Sequence, residues 1–208
     1  MEEVIIVKTG KANVASVVSG LIRAGAKSRL SEDPEEINSA SYVVIPGVGA
    51  YGPAMKQLQS LNLDDAIRQR ILAGKPTLAI CLGMQLLAKQ SEENPEVEGI
   101  GVIPGLCKRF SEERVNISKQ RIPQLGWNNV NVSGGCRLLE SGYAYFANSY
   151  FLDKAPEGWQ VAYTTYGETF ISAIEKGAVL ACQFHPELSG VWGRDLLIRW
   201  LREGKRLC

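Results

Sequence analysis

Apolar and polar residues follow two different rhythms along this chain. In the first half, residues 4–7, 42–45 and 78–80 are short unbroken apolar runs bounded by glycine and polar residues, the pattern of strands buried on both faces. Residues 13–24, 53–61, 63–72 and 82–89 instead repeat apolar side chains at intervals of three and four, which predicts helices with one buried face. Gly74 and Pro76 stop the third of these helices. Strand followed by helix in repeated succession predicts an α/β fold with a doubly wound, mostly parallel sheet flanked by helices. Strands 4–7 and 77–80 are expected to be parallel neighbours.

From residue 99 to 181 the rhythm shortens. Residues 107–110, 127–132, 144–152, 160–166, 169–175 and 179–183 are β-rich stretches separated by glycine, asparagine and proline, and predict an antiparallel, strand-rich extension of the same sheet. Residues 193–202 read as a closing helix. No internal repeat, low-complexity tract or linker interrupts the chain, so a single domain covering residues 1–208 is expected.

Composition narrows the function by exclusion. Lysine and arginine number 23 against 22 acids, a net charge of +1 that offers no broad attraction to nucleic acid or anionic membrane. Met1-Glu2-Glu3 followed by a four-residue apolar run lacks the basic region and length of a signal peptide, and no apolar run approaches the ~18 residues of a membrane span. A cytoplasmic location is expected. The five cysteines are odd in number and widely spaced, with no C-x-x-C pair and a single histidine beside them. No metal site is expected from that set, and Cys107, Cys136, Cys182 and Cys208 read as small buried apolar residues.

Cys81 is different because of where it stands. It follows strand 77–80 directly and precedes Leu82 and Gly83, so it sits at a strand-to-helix turn beyond the carboxyl end of the sheet, where chemistry in such folds collects. A helix N-terminus and a nearby imidazolium both favour thiolate, and the Leu82 amide can donate to an oxyanion formed on attack. His185, the one histidine, lies in Gln183-Phe184-His185-Pro186-Glu187. Pro186 disfavours helical backbone at His185, and residues two apart in an extended segment face the same way. Glu187 is therefore placed to hold one imidazole nitrogen while the other faces the thiol, a nucleophile, base and orienter set. Gly47, Val48 and Gly49 follow strand 42–45 in a backbone-rich loop that can turn an amide toward developing negative charge. No G-x-x-x-x-G-K-[ST] signature accompanies it.

Pro46-Gly47-Val48-Gly49, Cys81-Leu82-Gly83-Met84-Gln85 and His185-Pro186-Glu187, in this order and spread over most of the chain, resemble the class I (triad) glutamine amidotransferases, whose sheet is flavodoxin-like. Within that family, Ser91-Glu92-Glu93, Gly126-Trp127-Asn128 and Tyr145-Phe146-Ala147-Asn148-Ser149-Tyr150 are similar to segments of the glutaminase subunits of imidazole glycerol phosphate synthases. The resemblance implies that Cys81 attacks the carboxamide of glutamine, with His185 and Glu187 completing the triad. Leu82 and the loop of Gly47, Val48 and Gly49 would stabilise the oxyanion, and Gln85, Glu93, Ser149 and Tyr150 would bind glutamine. It implies no cofactor and no metal. It also implies a separate (β/α)8 barrel cyclase that receives the ammonia, with Trp127, Tyr145 and the 46–49 loop near the subunit boundary.

The chain departs from the resemblance in places. Relatives commonly carry histidine where this chain has Gln124 and Asn148; neither belongs to the triad, so the departure bears on regulation rather than hydrolysis. Residues 11–16 also differ from the usual Gly-Asn-Leu-Arg-Ser form, which leaves a role for that loop at the subunit boundary open. Three other readings remain: the glutaminase of an anthranilate, aminodeoxychorismate or pyridoxal phosphate synthase; a catalytically idle regulatory module; and a cysteine hydrolase of γ-glutamyl peptides.

Overall fold

A computed structural model describes residues 2–9 and 13–206. The chain runs β1 (Glu3–Val7), α1 (Val14–Arg23), β2 (Lys27–Ser31), α2 (Pro34–Ser39), β3 (Tyr42–Ile45), α3 (Tyr51–Ser60), α4 (Leu63–Leu72), β4 (Thr77–Ile80) and α5 (Leu82–Leu86). It continues through β5 (Ala88–Ser91), β6 (Ile103–Arg109), α6 (Glu112–Ile117), β7 (Gln124–Val132), β8 (Gly142–Asn148), β9 (Tyr150–Leu152), β10 (Gln160–Tyr166), β11 (Glu168–Lys176) and β12 (Val179–Cys182). A 3₁₀ turn (Pro186–Leu188) and α7 (Gly190–Lys205) close it. Among these described residues no helix is long and apolar enough to cross a membrane.

The strand order is β2-β1-β3-β4-β12-β11-β10-β7-β8. From β2 to β12 every pairing is parallel, and beyond β12 the pairings are antiparallel. The expected parallel half and antiparallel extension are therefore one mixed sheet. β1 and β4 are parallel but not adjacent, a correction to the expected pairing. The four apolar residues of β3 are all buried, as a central strand requires, and β3 lies between them.

Alternation along the parallel strands divides the core in two. Val4, Ile6, Val44, Leu78 and Leu180 face one way, under α1 and the α7 residues Leu197 and Trp200. Ile5, Val7, Val43, Ala79 and Ala181 face the other way, under Met55 and Leu58 of α3 and Ile67 of α4. A two-residue period that is apolar in both phases is what helices on both faces demand.

Three predicted elements changed. The helix expected over 82–89 stops at Leu86, because the carbonyls of Leu86, Leu87 and Ala88 accept from the amides of Ile100, Ile103 and Gly101. The returning chain takes over the acceptors that a longer helix would use. The strand expected over 144–152 breaks at Ser149, whose carbonyl accepts from Phe110 at 3.0 Å, so β8 pairs with β7 and β9 with β6. The closing helix is longer than 193–202. β2, α2, β5 and α6 were not legible as elements. Of the cysteines read as buried, Cys107 and Cys182 are, Cys136 is half-buried, and Cys208 lies outside the described residues. So do residues 10–12, and with them the start of the 11–16 loop.

Candidate active site

The turn after β4 is built by close backbone approach. A Cβ on Gly83 would stand 2.1 Å from the Ile45 carbonyl oxygen, and one on Gly47 would stand 2.4 Å from the Gly83 nitrogen. The loop after β3 can lie against the start of α5 because neither residue has a side chain. The Cys81 N–H donates to the Cys182 carbonyl at 2.7 Å, which locks the turn to β12. Cys81 itself has φ 53° and ψ −111°, a conformation that crowds the Cβ of an L-residue and that persists because both flanking elements are fixed.

β12 is the parallel neighbour of β4, with Cys182 opposite Ile80, so the segment that follows it delivers His185 beside Cys81. His185 is extended, at φ −102° and ψ 94°, as its proline successor requires. The extended form does not continue to Glu187. The chain instead turns through Pro186–Leu188, and the Glu187 carboxylate reaches the imidazole from that turn, with Oε1 2.8 Å from Nδ1. Ser189 Oγ donates to the His185 carbonyl at 2.7 Å and accepts from the Tyr145 amide at 2.9 Å, pinning the turn to β8.

With Nδ1 occupied, Nε2 is the nitrogen left for Cys81. Burial opposes charge on this imidazole, yet hydrogen bonds to Cys81 and Glu187, together with the charges of both, outweigh it and raise the His185 pKa to about 10. These partners favour the imidazolium over the neutral ring.

The seat of Glu187 depends on α1. A Cβ on Gly20 would stand 2.8 Å from Glu187 Cβ and 3.2 Å from its Cα. Gly20→Ala gains ~1 kcal/mol of helix propensity but forces this contact apart, and overpacking costs ~1–3 kcal/mol. Thermal melts and glutamine hydrolysis assays should show a modest loss of stability and about a tenfold drop in turnover, since ångström-scale misplacement of a catalytic group is costly. A more stable, fully active variant would show that α1 does not seat the carboxylate.

A cleft of about 310 Å³ opens beside the triad, lined by Cys81 and His185 and by the expected residues Val48, Gly49, Leu82, Gln85, Glu93, Ser149 and Tyr150. The structure thus brings these residues together from five separate segments. A larger cleft of about 680 Å³ opens elsewhere, between Ser41, Lys75, Trp159 and Lys176, but its lining holds no thiol, carboxylate or imidazole.

Within the smaller cleft several roles become more specific. Glu93 Oε2 accepts from the Tyr51 amide at 3.0 Å, and Asn94 Oδ1 from the Gly52 amide at 2.9 Å. Together they cap α3 and fix the Glu93 carboxylate at the rim. Gln85 is buried and its Nε2 donates to the Tyr150 carbonyl at 3.1 Å and to Gln183 Oε1 at 3.0 Å. Gln183, which the sequence pattern did not single out, donates from Nε2 to Cys81 Sγ at 3.6 Å. The Leu82 amide points at the Gly47 carbonyl, at 3.4 Å.

The mouth of the cleft is apolar. Leu125, Val48 and Pro123 line it, and Leu125 and Trp127 are 69% and 57% exposed on the outer face of β7. Trp127 packs edge-on against Tyr145, centroids 6.3 Å apart. The inner face of the same hairpin carries Gln124 opposite Asn148. Both are buried, and both amide atoms of Gln124 and the Oδ1 of Asn148 have no protein partner among the described residues.

A cysteine on a strained turn, an imidazole held by a carboxylate, and a flavodoxin-like sheet with an antiparallel flank define the class. Residues 5–201 match the family described as Glutamine amidotransferase class-I, and the chain belongs to that family. Its relatives include the imidazole glycerol phosphate synthase subunit HisH of Streptococcus gordonii, 38% identical over 196 residues, 93% of this chain and 92% of the relative. The subunit of the same name from Bacillus subtilis is 36% identical over 200 residues, 95% of this chain and 94% of the relative. That from Lactococcus lactis is 38% identical over 209 residues, 98% of this chain and all of the relative. Among solved structures, a glutamine amidotransferase superposes with TM-score 0.75 at 22% identity, covering 97% of this chain and 98% of that one. PurLQS from Thermotoga maritima superposes with TM-score 0.70 at 16% identity, covering 100% and 99%. These two share the fold.

Proposed function

We propose that this chain is the glutaminase subunit of an imidazole glycerol phosphate synthase, and that it hydrolyses glutamine through a Cys81 thioester and passes ammonia to a (β/α)8 barrel cyclase. The observation that carries the chemistry is the placement of Cys81, on its strained turn, against a His185 that Glu187 holds through Nδ1. The acceptor is argued from the HisH relatives, which are similar over nearly their whole length, in preference to the other synthases. The lyase chemistry belongs to the partner.

The Cys81 sulfur adds to the carboxamide carbon, and the imidazolium gives its proton to the departing nitrogen, releasing ammonia. Neutral His185 then takes a proton from water as the hydroxide adds to the thioester carbon. The C–S bond breaks with its electron pair returning to sulfur, and glutamate leaves. Glu93 at the rim suits the substrate ammonium, and the Ser149–Tyr150 backbone suits its carboxylate end. The oxyanion falls to the amide of Leu82 and the loop of Gly47, Val48 and Gly49. Because the Leu82 amide faces the Gly47 carbonyl, that loop must turn before the donor is free, which favours an enzyme that is slow until its partner docks. The exposed Leu125, Trp127 and Val48 around the cleft mouth suit the docking surface, with Tyr145 behind Trp127. A biosynthetic role of this kind fits the cytoplasm.

Turnover of glutamine should be weak for the chain alone and rise by orders of magnitude when a cyclase loaded with its nucleotide ligand is added. Equal turnover with and without the loaded cyclase would remove the partner from the proposal. Labelling by a glutamine-derived chloroketone at any cysteine other than Cys81 would remove the nucleophile.

A further inference from the structure

Gln183 lies two residues before the imidazole and is fully buried. Its Nε2 is 3.6 Å from Cys81 Sγ, while its Oε1 accepts from Gln85 Nε2 at 3.0 Å. The orientation of this amide follows from hydrogen-bond logic. Gln85 Nε2 spends its two protons on Gln183 Oε1 and on the Tyr150 carbonyl, so the Gln183 oxygen must face Gln85 and its NH₂ must face the sulfur. An amide NH₂ has no acceptor capacity. It interacts most favourably with sulfur that carries negative charge, and hydrogen bonds to ionised partners are about twice as strong as neutral ones.

We propose that Gln183 is a direct participant in the reaction, stabilising negative charge on Cys81 Sγ through an Nε2–H···S hydrogen bond, with Gln85 as the positioning residue that fixes the direction of its amide. The inference rests on the glutaminase reading and deepens it. The donor acts twice: it favours the attacking thiolate, and it meets the charge that returns to sulfur when the C–S bond of the thioester breaks. It also ties the nucleophile to the substrate side of the cleft. Tyr150, Gln85, Gln183 and Cys81 form one hydrogen-bonded chain, so Gln85 serves the sulfur as well as any glutamine it touches. The Cys81 sulfur has the Ala147 carbonyl 3.9 Å away on another side, an acceptor that cannot stabilise an anion, which makes the Gln183 donor the more important.

The test is the rate of Cys81 carbamidomethylation by iodoacetamide, followed across pH by mass spectrometry of the Cys81 peptide in the full chain. Gln183→Met keeps the volume and removes the donor. It should slow alkylation about tenfold at pH 7, the equivalent of losing one hydrogen bond to a charged group, and the deficit should vanish in alkali where every thiol is ionised. In glutamine turnover the same variant should lower kcat with little change in KM, because Gln183 is buried behind the sulfur. Gln85→Leu, which frees the amide to rotate, should slow alkylation in the same direction but by less, and it provides the reading if Gln183→Met does not fold. An unchanged pH dependence in a folded Gln183→Met variant, or in Gln85→Leu where that variant must be used, would overturn the assignment. The two readings fail separately. If the chloroketone does not label Cys81 of the wild type, the glutaminase proposal fails; if it does and the alkylation profile of the variant matches the wild type, only the role of Gln183 fails.

Discussion

Replacing Cys81 by glycine should abolish glutamine hydrolysis and yield a protein more stable than the alanine variant at the same position. Both substitutions remove the sulfur, and loss of a covalent nucleophile costs roughly a millionfold in turnover when the other groups act only in concert with it. They differ in what they do to the backbone. At φ 53° and ψ −111° alanine keeps the strain that cysteine bears, which at the upper end of such conformations is about 3 kcal/mol. Glycine relieves it. Against this, glycine loses a buried methyl group worth ~0.8 kcal/mol and has ~0.5–1 kcal/mol more chain entropy to lose on folding. Strain wins by about 1 kcal/mol, a rise of about 3 °C in Tm for a chain of this size. The measurement is a pair of thermal melts beside a glutaminase assay. An alanine variant as stable as the glycine variant would mean that the turn stores no strain at Cys81.

Glu187→Gln should lower kcat by about 10²–10⁴, although it changes the shape of the site very little. The carboxylate accepts the Nδ1 proton at 2.8 Å. An amide can present its NH₂ there instead, which stabilises the tautomer with the proton on Nε2, facing the sulfur, where the base must be free. The pH dependence of stability gives a second readout. His185 has its folded pKa raised, to about 10 from 6.5, so its stabilising interactions are fully present below about pH 6.5 and are lost as pH climbs through 10. The wild type should therefore lose more stability than Glu187→Gln between pH 6.5 and 9.5, as read by urea midpoints. Equal losses would show that the carboxylate does not hold the charge on His185.

Much of the site was legible because it is local. The Cys81 turn, the proline that extends His185 and the glutamate beyond it are properties of short segments. The route to the His185–Glu187 contact was not. Period-two reasoning placed Glu187 beside the imidazole in an extended chain, whereas the chain reaches the same contact through a 3₁₀ turn anchored by Ser189 and the Tyr145 amide. Those anchors come from β8 and the start of α7, and no local rule brings them together.

The outer hairpin shows the limit more sharply. Along β7, Leu125 and Trp127 alternate with Gln124 and Gly126, and a sequence rule would turn the apolar residues inward. The structure does the reverse, burying Gln124 and Asn148 and exposing Leu125 and Trp127. A strand's alternation defines two faces, but it does not say which one meets solvent.

The sequence by itself singled out Cys81, His185 and Glu187, the parallel half of the sheet and the strand-rich flank, because each is written in residues close together or in a repeated period. Only the tertiary structure decided that β3 separates β1 from β4, that Gln85 donates to Gln183, and that Gln183 points its amide at the sulfur. These depend on strand order and on partners far apart in the chain, 98 residues for Gln85 and Gln183. Contacts at that range are fixed by which elements pack together, which local propensity does not encode.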